Sequence, residues 1–432
     1  MQTIIVFSHL RWSFVYQRPQ HLLSRLAKDY RIVFMEEPVP DAEHDYLEQL
    51  SPADNLMVLR PHLSGNVGGF HDDLLPRLQS QLAGFLNDSG IDDYLVWFYT
   101  PMALPLANGL SPRAIIYDCM DELSAFKNAP RQLVQRENAL YLQADLVLTG
   151  GPSLYRSKLD RHHNVHCFSS SVDAAHFSPL GRTLDDHPAQ AALPGPRLGY
   201  CGVIDERIDI DLIGALADAH PDWQLVMVGP VVKITYESLP QRANIHWLGQ
   251  QSYAELPRFM AGWDVCLLPF ALNESTTFIS PTKTLEYMAA GKPSVSTRIR
   301  DVAEPYGHVV EIADNRQEFI AACEALLDAT PEQQAIRAKA MHQILAGTSW
   351  DLTTSAIRIL MDKLPGTRCG EAANSGFGHQ QYGEVASPSA LRTDRGWKQI
   401  GKKTSAQSHE PATATHHLQQ QQRAAQAYKP AA

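Results

Sequence analysis

The stretch that decides the fold is Ser280-Pro-Thr-Lys-Thr-Leu-Glu-Tyr-Met-Ala-Ala-Gly-Lys-Pro293, which has the marks of one short helix. Ser280 is a suitable N-cap and Pro281 suits the first helical position, whereas Gly291 ends the helix. Lys283 lies in the first turn, where the partial positive charge of a helix start disfavours a cation. A phosphate bound there would resolve the conflict, because it suits both the lysine and the free N–H groups.

Lys283 and Glu286 are three residues apart and are therefore neighbours on the surface of this helix. One interpretation is an exposed ion pair within the helix, which adds little stability. The other is a phosphate site in which the carboxylate accepts hydrogen bonds from the hydroxyls of a sugar. The local sequence leaves both interpretations open.

Length and composition indicate a globular protein of two domains. The chain has 432 residues, 44% of them hydrophobic, and a net charge of -10 without a dominant basic block. These values argue against a general nucleic-acid binder. The six cysteines form no C-x-x-C pair, which is typical of reduced thiols in a cytosolic protein. The first residues resemble a buried strand more than a signal peptide, and no apolar run approaches the roughly 20 residues that cross a bilayer.

Short runs rich in Val, Ile and Leu recur along the chain between helical patterns. Because these runs are continuous rather than alternating, they indicate strands buried on both faces of parallel sheets. In the first part of the chain the predicted strands are Thr3–Phe7, Ile32–Met35, Leu56–Leu59, Tyr94–Tyr99, Ala114–Tyr117, Leu146–Leu148 and Val165–Phe168. In the second part they are Arg197–Cys201, Gln224–Val228, Asn244–Leu248, Asp264–Phe270, Ser294–Thr297 and Val309–Ala313. The sequence therefore predicts an α/β protein with two doubly wound domains.

A polar segment rich in Pro and Gly separates the two series of strands and is interpreted as a linker. A capped amphipathic helix is predicted near the end of the folded chain, and the last residues have the composition of a disordered tail. The predicted segments are an N-terminal domain (1–180), a linker (181–196), a C-terminal domain (197–348), a last helix (349–365) and a tail (366–432). Ligands of such sheets bind beyond the carboxyl ends of the strands, so we expect the site in the cleft between the domains.

An ordered series of short motifs runs through the second part of the chain. The motifs are Gly199-Tyr-Cys-Gly202, Arg207, Asp211-Leu-Ile213, Trp223-Gln-Leu-Val-Met-Val-Gly-Pro230, Asn244-Ile-His-Trp-Leu-Gly249, Tyr253-Ala-Glu-Leu-Pro257, Asp264-Val-Cys-Leu-Leu-Pro269 and the helix at 281–293. The series resembles the nucleotide-sugar domain of GT-B glycosyltransferases, and in particular the large retaining family, group 1 or family 4-like, that builds bacterial polysaccharides. The resemblance is close over about residues 196 to 300.

The resemblance implies two Rossmann-like domains facing a cleft, with a last helix that crosses back to the first, acceptor-side domain. It assigns the donor ribose to Glu286 and the diphosphate to backbone amides around Ser280 and Thr282, with Lys283 and Arg207 facing that diphosphate. The nucleobase is expected near three residues, Leu248, Gly249 and Tyr253. Gly202 would let the backbone approach the ligand closely, although an ordinary strand–helix turn also accounts for a glycine there.

Two departures from the family pattern concern charged side chains. The family has a second glutamate eight residues before the first, at the position of Phe278 in this chain. Glu274, in the same loop, is the candidate substitute for that sugar-side carboxylate. The basic residues that follow the glycine turn in the family align with Val203 and Ile208, which leaves only the displaced Arg207. The resemblance therefore implies a retaining enzyme, while these departures leave the stereochemical outcome open.

The first predicted strand is followed by a polar aromatic loop and a helix. The segment Trp12-Ser-Phe-Val-Tyr-Gln-Arg-Pro-Gln-His21 resembles a pattern shared by a subgroup of bacterial cell-surface glycosyltransferases. Arg18 and His21 are candidates for contact with donor phosphate or acceptor. The alternative is a capped helix with exposed polar residues.

Three carboxylates in Asp118-Cys-Met-Asp-Glu122 follow a predicted parallel strand and would face the cleft. Asp121 is the preferred candidate to orient the acceptor hydroxyl or to act as its base, although acids at such positions also cap helices. The turn Ser170-Ser-Val-Asp173 resembles the interdomain turn of the family, where it could serve only as a hinge. His162, His163 and His166 lack partners at the spacing of a metal site. We therefore expect no metal and no cofactor, with Lys, Arg and a helix start neutralising the leaving diphosphate.

The sequence thus predicts a hexosyl- or related glycosyltransferase, retaining by resemblance and independent of metal. Its partners would be a nucleotide-sugar donor and a glycan or lipid-linked acceptor of a bacterial cell-surface polysaccharide. We expect a cytoplasmic protein that can touch the inner face of the membrane. Two alternatives stay open, a nucleotide-sugar epimerase on the same scaffold and a non-catalytic protein that binds nucleotide-sugar or glycan.

Overall fold

The computed structural model describes residues 1–179 and 184–364 of the chain. Within these ranges the strands form one sheet of eight and one sheet of six. The first sheet contains β1 (Thr3–Ser8), β2 (Arg31–Glu36), β3 (Tyr46–Ala53), β4 (Leu56–His62), β5 (Tyr94–Phe98), β6 (Ile115–Cys119), β7 (Leu146–Thr149) and β8 (Val165–Cys167). The second contains β9 (Arg197–Cys201), β10 (Gln224–Val228), β11 (Ile245–Trp247), β12 (Val265–Leu268), β13 (Ser294–Thr297) and β14 (Glu311–Ala313).

Both sheets have the strand order of doubly wound α/β folds. The orders are β3-β4-β2-β1-β5-β6-β7-β8 and β11-β10-β9-β12-β13-β14. Neighbouring strands are parallel except β3 and β4, which pair antiparallel at the edge of the first sheet. In each sheet the strand order changes direction at the first strand of the series, β1 or β9. Folds of this kind bind their ligands at such a point.

Helices cover both faces of each sheet. Along β1, Ile5 and Phe7 pack in one hydrophobic cluster while Ile4 and Val6 pack in another, so both faces are buried. The helices are α1 (Arg18–Leu26), α2 (Leu75–Asp88), α3 (Gln132–Gln143), α4 (Pro152–Lys158), α5 (Ala174–Phe177), α6 (Pro188–Ala191), α7 (Ile210–Ala219), α8 (Leu256–Ala261), α9 (Thr282–Ala289), α10 (Arg300–Tyr306), α11 (Arg316–Leu327), α12 (Pro331–Ala346) and α13 (Trp350–Met361). Short 3-10 turns include Leu123–Ala125, Tyr253–Glu255 and Glu274–Thr276.

The last helix leaves the second sheet and packs on the first. Trp350, Ile357 and Met361 of α13 are fully buried in the hydrophobic cluster that lies beside β1, against α1. The side chain of Ser349 caps the helix by accepting a hydrogen bond from the backbone N–H of Leu352 at 3.1 Å, as its sequence predicted.

The predicted α/β class with doubly wound sheets is confirmed, and the predicted strands recur with small shifts at their ends. Strand β3 was not predicted, because most of its side chains are exposed. The predicted N-cap of the helix at 281–293 was wrong. Pro281 has extended backbone angles and takes the N-cap position, so the helix begins at Thr282.

Part of the predicted linker is packed rather than free. Gln190 of α6 is fully buried, where it donates a hydrogen bond to the carbonyl of Phe259 at 2.8 Å and accepts one from the Trp263 indole at 2.9 Å. The division into domains at 181–196 stays a prediction. The predicted tail, 366–432, lies outside the described residues. No helix in the described ranges combines the length and the apolar character that a membrane crossing requires.

Candidate functional site

The loops that follow the strands of the two sheets meet across a cleft. The side-chain amide of Gln250, after β11, donates to the backbone carbonyl of Phe14, after β1. The Ser170 hydroxyl, after β8, donates to the carbonyl of Ser280 at 2.8 Å, just before α9. The carboxyl ends of both sheets therefore face each other, as the strand orders predict.

The start of α9 carries a buried ion pair. Lys283 Nζ lies 2.5 Å from Glu286 Oε2, and Glu286 is only 1% exposed. Burial opposes the charge of Lys283, but the Glu286 carboxylate outweighs it and raises the pKa of the lysine. The ion pair of the first interpretation is thus present, but it is buried instead of exposed. The carboxylate is held out of water and the lysine is 19% exposed, at the helix end that favours an anion.

The first turn of α9 is tied to the first sheet through hydroxyls. Thr282 Oγ1 donates to Ser170 Oγ at 3.1 Å, and Ser170 donates onward to the Ser280 carbonyl. A Cβ atom on Gly151, at the start of α4, would lie 2.7 Å from the Ser280 Cβ. The predicted diphosphate-binding turn therefore lies directly against the first sheet. The backbone N–H groups of this helix start need hydrogen-bond partners, as at any helix start.

Glycines allow the strand ends of the second sheet to approach closely. Gly202 and Gly229 have φ of 154° and 151°, and a Cβ on Gly229 would lie 1.8 Å from the Gly202 carbonyl oxygen. The N–H of Gly229 also donates to the carbonyl of Gly249 at 2.8 Å. Gly202 thus has the close backbone packing that favours glycine, and the space around a Cβ on Gly249 is open. Leu248, beside it, is half-buried.

Two cations of the second sheet lie on one aromatic ring of the first. The Arg207 guanidinium is 5.3 Å and Lys233 Nζ is 4.4 Å from the centre of the Phe126 ring. Arg207 is also held by Asp205, with Nη2 to Oδ2 at 2.8 Å, and that carboxylate raises the pKa of the guanidinium against the effect of burial. Lys233 has a looser contact, 3.6 Å to Glu206 Oε1. Lys233 was not predicted and is the less neutralised of the two cations.

Asp121 and His9 lie beside these cations at the ends of β6 and β1. Burial raises the pKa of Asp121, whereas the nearby charges of Arg207 and Lys233 lower it in part. Burial, together with the charge of Lys233, lowers the pKa of His9 to about 4, so this imidazole is neutral at physiological pH. Nδ1 of His9 is buried and makes no hydrogen bond within the described part of the chain. Asp121 and His9, which are half-buried, and Lys233, which is exposed, form a polar cluster that spans both sheets.

Arg18 does not reach the predicted phosphate position. Its Nε lies 3.1 Å and 3.0 Å from the two carboxylate oxygens of Asp118, and its Nη1 donates to the Phe168 carbonyl at 2.6 Å. The pair is fully buried between α1 and the first sheet. This corrects the expectation for Arg18, because Asp118 neutralises the guanidinium and burial removes it from the cleft. His21, the second candidate on α1, is also buried, with its ring stacked on Trp350.

Glu274 and Tyr253 lie in settings that the sequence did not indicate. Glu274 is exposed at the start of a 3-10 turn, while Phe278 packs against the hydrophobic cluster of the first sheet. The carboxylate position of the family is therefore occupied by a ring that crosses between the two sheets. Tyr253 is stacked on one face by His176 and on the other by Tyr16. Its hydroxyl is buried without a hydrogen-bond partner within residues 1–179 and 184–364.

Sequence reasoning missed His9, Phe126 and Lys233, although each follows a predicted parallel strand. The rule that ligands bind at the carboxyl ends of strands could have pointed to them. Their partners, however, are supplied by the other sheet. In the described ranges, no group of three or more His, Cys, Asp or Glu side chains could hold a metal ion.

Two sheets of this topology, facing each other across a cleft and joined by a returning last helix, define a GT-B fold. Residues 195–329 match the model of the family described as Glycosyl transferases group 1. A Bacillus subtilis (strain 168) protein named as a teichuronic acid biosynthesis glycosyltransferase, TuaH, is 27% identical over 260 residues. That match spans 53% of this chain and 63% of the length of the relative.

Solved structures show the same fold over nearly their whole length. Sucrose-phosphate synthase from Thermosynechococcus elongatus has a TM-score of 0.64 at 15% identity, over 84% of this chain and 99% of that one. Anabaena Alr3699/HepE in complex with UDP and glucose has a TM-score of 0.59 at 14% identity, over 84% and 100%. The predicted GT-B fold and the resemblance to this group of glycosyltransferases are confirmed. The two alternatives, an epimerase and a non-catalytic binding protein, find no support in these comparisons.

Proposed function

We propose that this protein is a glycosyltransferase that moves a sugar from a nucleoside-diphosphate sugar to a glycan or lipid-linked acceptor. The observation that carries the proposal is the buried Lys283–Glu286 pair at the start of α9. A buried ion pair is weak evidence of stability, because desolvation offsets much of its attraction. The Lys283–Glu286 pair is well suited to a ligand that brings both an anion for the lysine and hydroxyls for the carboxylate, as a nucleoside diphosphate does.

In this proposal the first turn of α9 binds the donor diphosphate. The free backbone N–H groups of Thr282 and Lys283 point along the helix axis towards the anion. The Lys283 ammonium turns from Glu286 to the phosphates, and Glu286 then accepts hydrogen bonds from the ribose hydroxyls. The nucleobase would lie beside Leu248, Gly249 and Tyr253, at the end of β11.

The leaving diphosphate gains charge as the bond to the sugar breaks, so catalysis requires fixed cations beside it. Lys283 supplies one. Arg207 and Lys233, which share the Phe126 ring, lie at the neighbouring strand ends. Transfer with retention would follow if the departing phosphate assists attack on the same face of the sugar. The retaining, hexosyl-type reaction is the finer part of this proposal.

The acceptor hydroxyl would bind from the side of the first sheet. Asp121 can accept a hydrogen bond from it, and its raised pKa makes it a better proton acceptor than an ordinary carboxylate. Glu274, exposed on the loop before α9, remains the candidate for contact with the donor sugar. A polysaccharide acceptor is proposed from the name of the TuaH relative, which refers to teichuronic acid biosynthesis. A cytoplasmic location and contact with the inner face of the membrane stay predictions from the sequence.

Binding calorimetry tests the donor site. We would titrate UDP, GDP, ADP and their sugars into the wild type, Lys283→Ala, Glu286→Gln and Arg300→Ala. Arg300 is the matched control, because it forms an exposed pair with Glu304 near the start of α10. We expect one diphosphate to bind the wild type and the control, and to bind Lys283→Ala at least about tenfold more weakly, since a charge-assisted contact is lost.

The proposal fails if none of the diphosphates binds the wild type. It also fails if Lys283→Ala, folded by circular dichroism, binds as tightly as Arg300→Ala. Incubation of the bound nucleotide-sugar with acceptor mixtures then separates transfer from the alternatives. An epimerase releases altered nucleotide-sugar without an acceptor, and a binding protein gives no turnover.

A further inference from the structure

An aromatic stack covers the segment where the nucleobase of the donor is expected. The Tyr16 ring lies 4.7 Å from the Tyr253 ring at an angle of 26°, a stacked arrangement. His176 stacks on the opposite face of Tyr253 at 4.2 Å and 8°. Both faces of Tyr253 are therefore occupied, one of them by a residue of the first sheet's β1–α1 loop.

Two of the contacts of that loop lie close to Tyr16. The Gln250 side-chain amide donates to the Phe14 carbonyl, two residues before Tyr16. The Tyr16 ring also meets the edge of His21 at 4.6 Å and 90°. Tyr16 is 38% exposed, whereas His21 is 1% exposed and packs against α13. Tyr16 is thus the member of the stack that can leave without disturbing a core.

The spacing of the stack excludes a bound base. A planar base inserted between two rings needs about 7 Å between their centres, twice the contact distance of stacked carbon atoms. The observed 4.7 Å between Tyr16 and Tyr253 leaves no such space. A base can therefore reach this face of Tyr253 only after the Tyr16 ring has moved away.

We infer that Tyr16 covers the nucleobase face of Tyr253 in the unliganded protein and that the base of the donor takes its place. This inference rests on the proposed function, because it requires a nucleoside diphosphate with its base beside Leu248–Tyr253. Donor binding then competes with an internal aromatic contact, and the loop of the first sheet sets how easily the donor enters. Tyr16 therefore lowers the affinity for the donor, because it covers the site, whereas Tyr253 raises it, because it supports the base.

The test compares Tyr16→Ala, Tyr16→Phe, Tyr253→Ala and the wild type by calorimetry with UDP, GDP and ADP. Without the Tyr16 ring, the base no longer has to displace a stabilising aromatic stack. We therefore expect Tyr16→Ala to bind the preferred diphosphate roughly two- to tenfold more tightly. Tyr16→Phe keeps the ring and should bind as the wild type does. Tyr253→Ala should bind more weakly. Tyr236→Ala is the matched control, because Tyr236 is an exposed tyrosine between β10 and β11. It should leave the affinity for the diphosphate unchanged.

Inorganic pyrophosphate, which lacks a base, should bind the wild type and Tyr16→Ala alike. If the melting curve shows that Tyr16→Ala is poorly folded, Tyr16→Leu is measured instead, because leucine keeps apolar volume without a flat ring. Unchanged or weaker diphosphate binding by these folded variants would overturn the inference, because Tyr16 would then be a bystander or a clamp. Failure of the wild type to bind any diphosphate would instead overturn the proposed function.

Discussion

Lys283 and Glu286 lie within one turn of α9, where the carboxylate is buried and the lysine side chain is 19% exposed. Removal of one member of a buried pair leaves an unpaired charge, which costs about 3–5 kcal/mol. Loss of ligand binding in Lys283→Ala therefore has to be separated from loss of folding. Glu286→Gln also leaves a charge unpaired, but it changes the site less, because the amide keeps the size of the side chain and one accepting oxygen.

Glu37, at the end of β2, has a pKa that burial raises to about 7, against the opposing charge of Arg11. The ordinary value is 4.5, so between these two pH values the folded protein holds this proton more tightly than the unfolded chain does. The free energy of unfolding should therefore fall as pH rises through this window, by roughly 3 kcal/mol at about 1.4 kcal/mol per pKa unit. Glu37→Gln cannot ionise and should lose this dependence.

Urea unfolding at about pH 4.5 and about pH 8 measures this effect. The free energy of unfolding of Glu37→Gln minus that of the wild type should rise by roughly 3 kcal/mol between the two conditions. Glu43→Gln, at an exposed carboxylate of the following segment, is the control. A difference for Glu37→Gln that is the same at both pH values would contradict the prediction.

At the scale of elements, the strands could be predicted because hydrophobic burial acts locally. Continuous apolar runs such as Tyr94–Phe98 reveal their burial in the sequence itself. Strand β3 could not be found this way, since its pairing with β4 depends on backbone hydrogen bonds at an exposed sheet edge. In the site, too, only local contacts could be predicted. Lys283 and Glu286 meet within one helix turn and were paired from the sequence, whereas Arg18 meets its partner Asp118 across 100 residues of sequence.

Helix α13 offers a prediction with an internal control. Ile357 is 0% exposed in the cluster beside β1, whereas Ile359, two residues further on, is 56% exposed. Ile357→Ala should lower the free energy of unfolding by about 2–5 kcal/mol, since it removes buried methyl groups and leaves a cavity. Ile359→Ala should change it by less than about 1 kcal/mol. Chemical denaturation of both variants checks this, and equal losses would show that α13 does not pack on the first sheet as described.

At the scale of the whole molecule, hydrogen bonds between α4 and α10 fix the two sheets relative to each other. The Asp301 carboxylate accepts from the Ser153 N–H at 3.0 Å and 3.2 Å and from the Ser153 hydroxyl at 2.5 Å. These groups are buried, and a Cβ on Gly151 would lie 2.4 Å from Asp301 Oδ2. We therefore expect this contact to support the cleft that holds Lys283 on one side and Asp121 on the other.

Asp301→Ala should loosen this contact, because it leaves the N–H and hydroxyl of Ser153 buried without a partner at a cost of about 1–3 kcal/mol each. Hydrogen–deuterium exchange at the start of α4 and of α9 should then accelerate roughly tenfold or more. Glu304→Ala is the matched control. It lies on the same helix and also reaches α4, but its pair with Arg156 is exposed and weak. If both variants exchange at the same rate, the buried carboxylate does not hold the two sheets together, and the shape of the cleft must depend on the wider packing around α9 and α13.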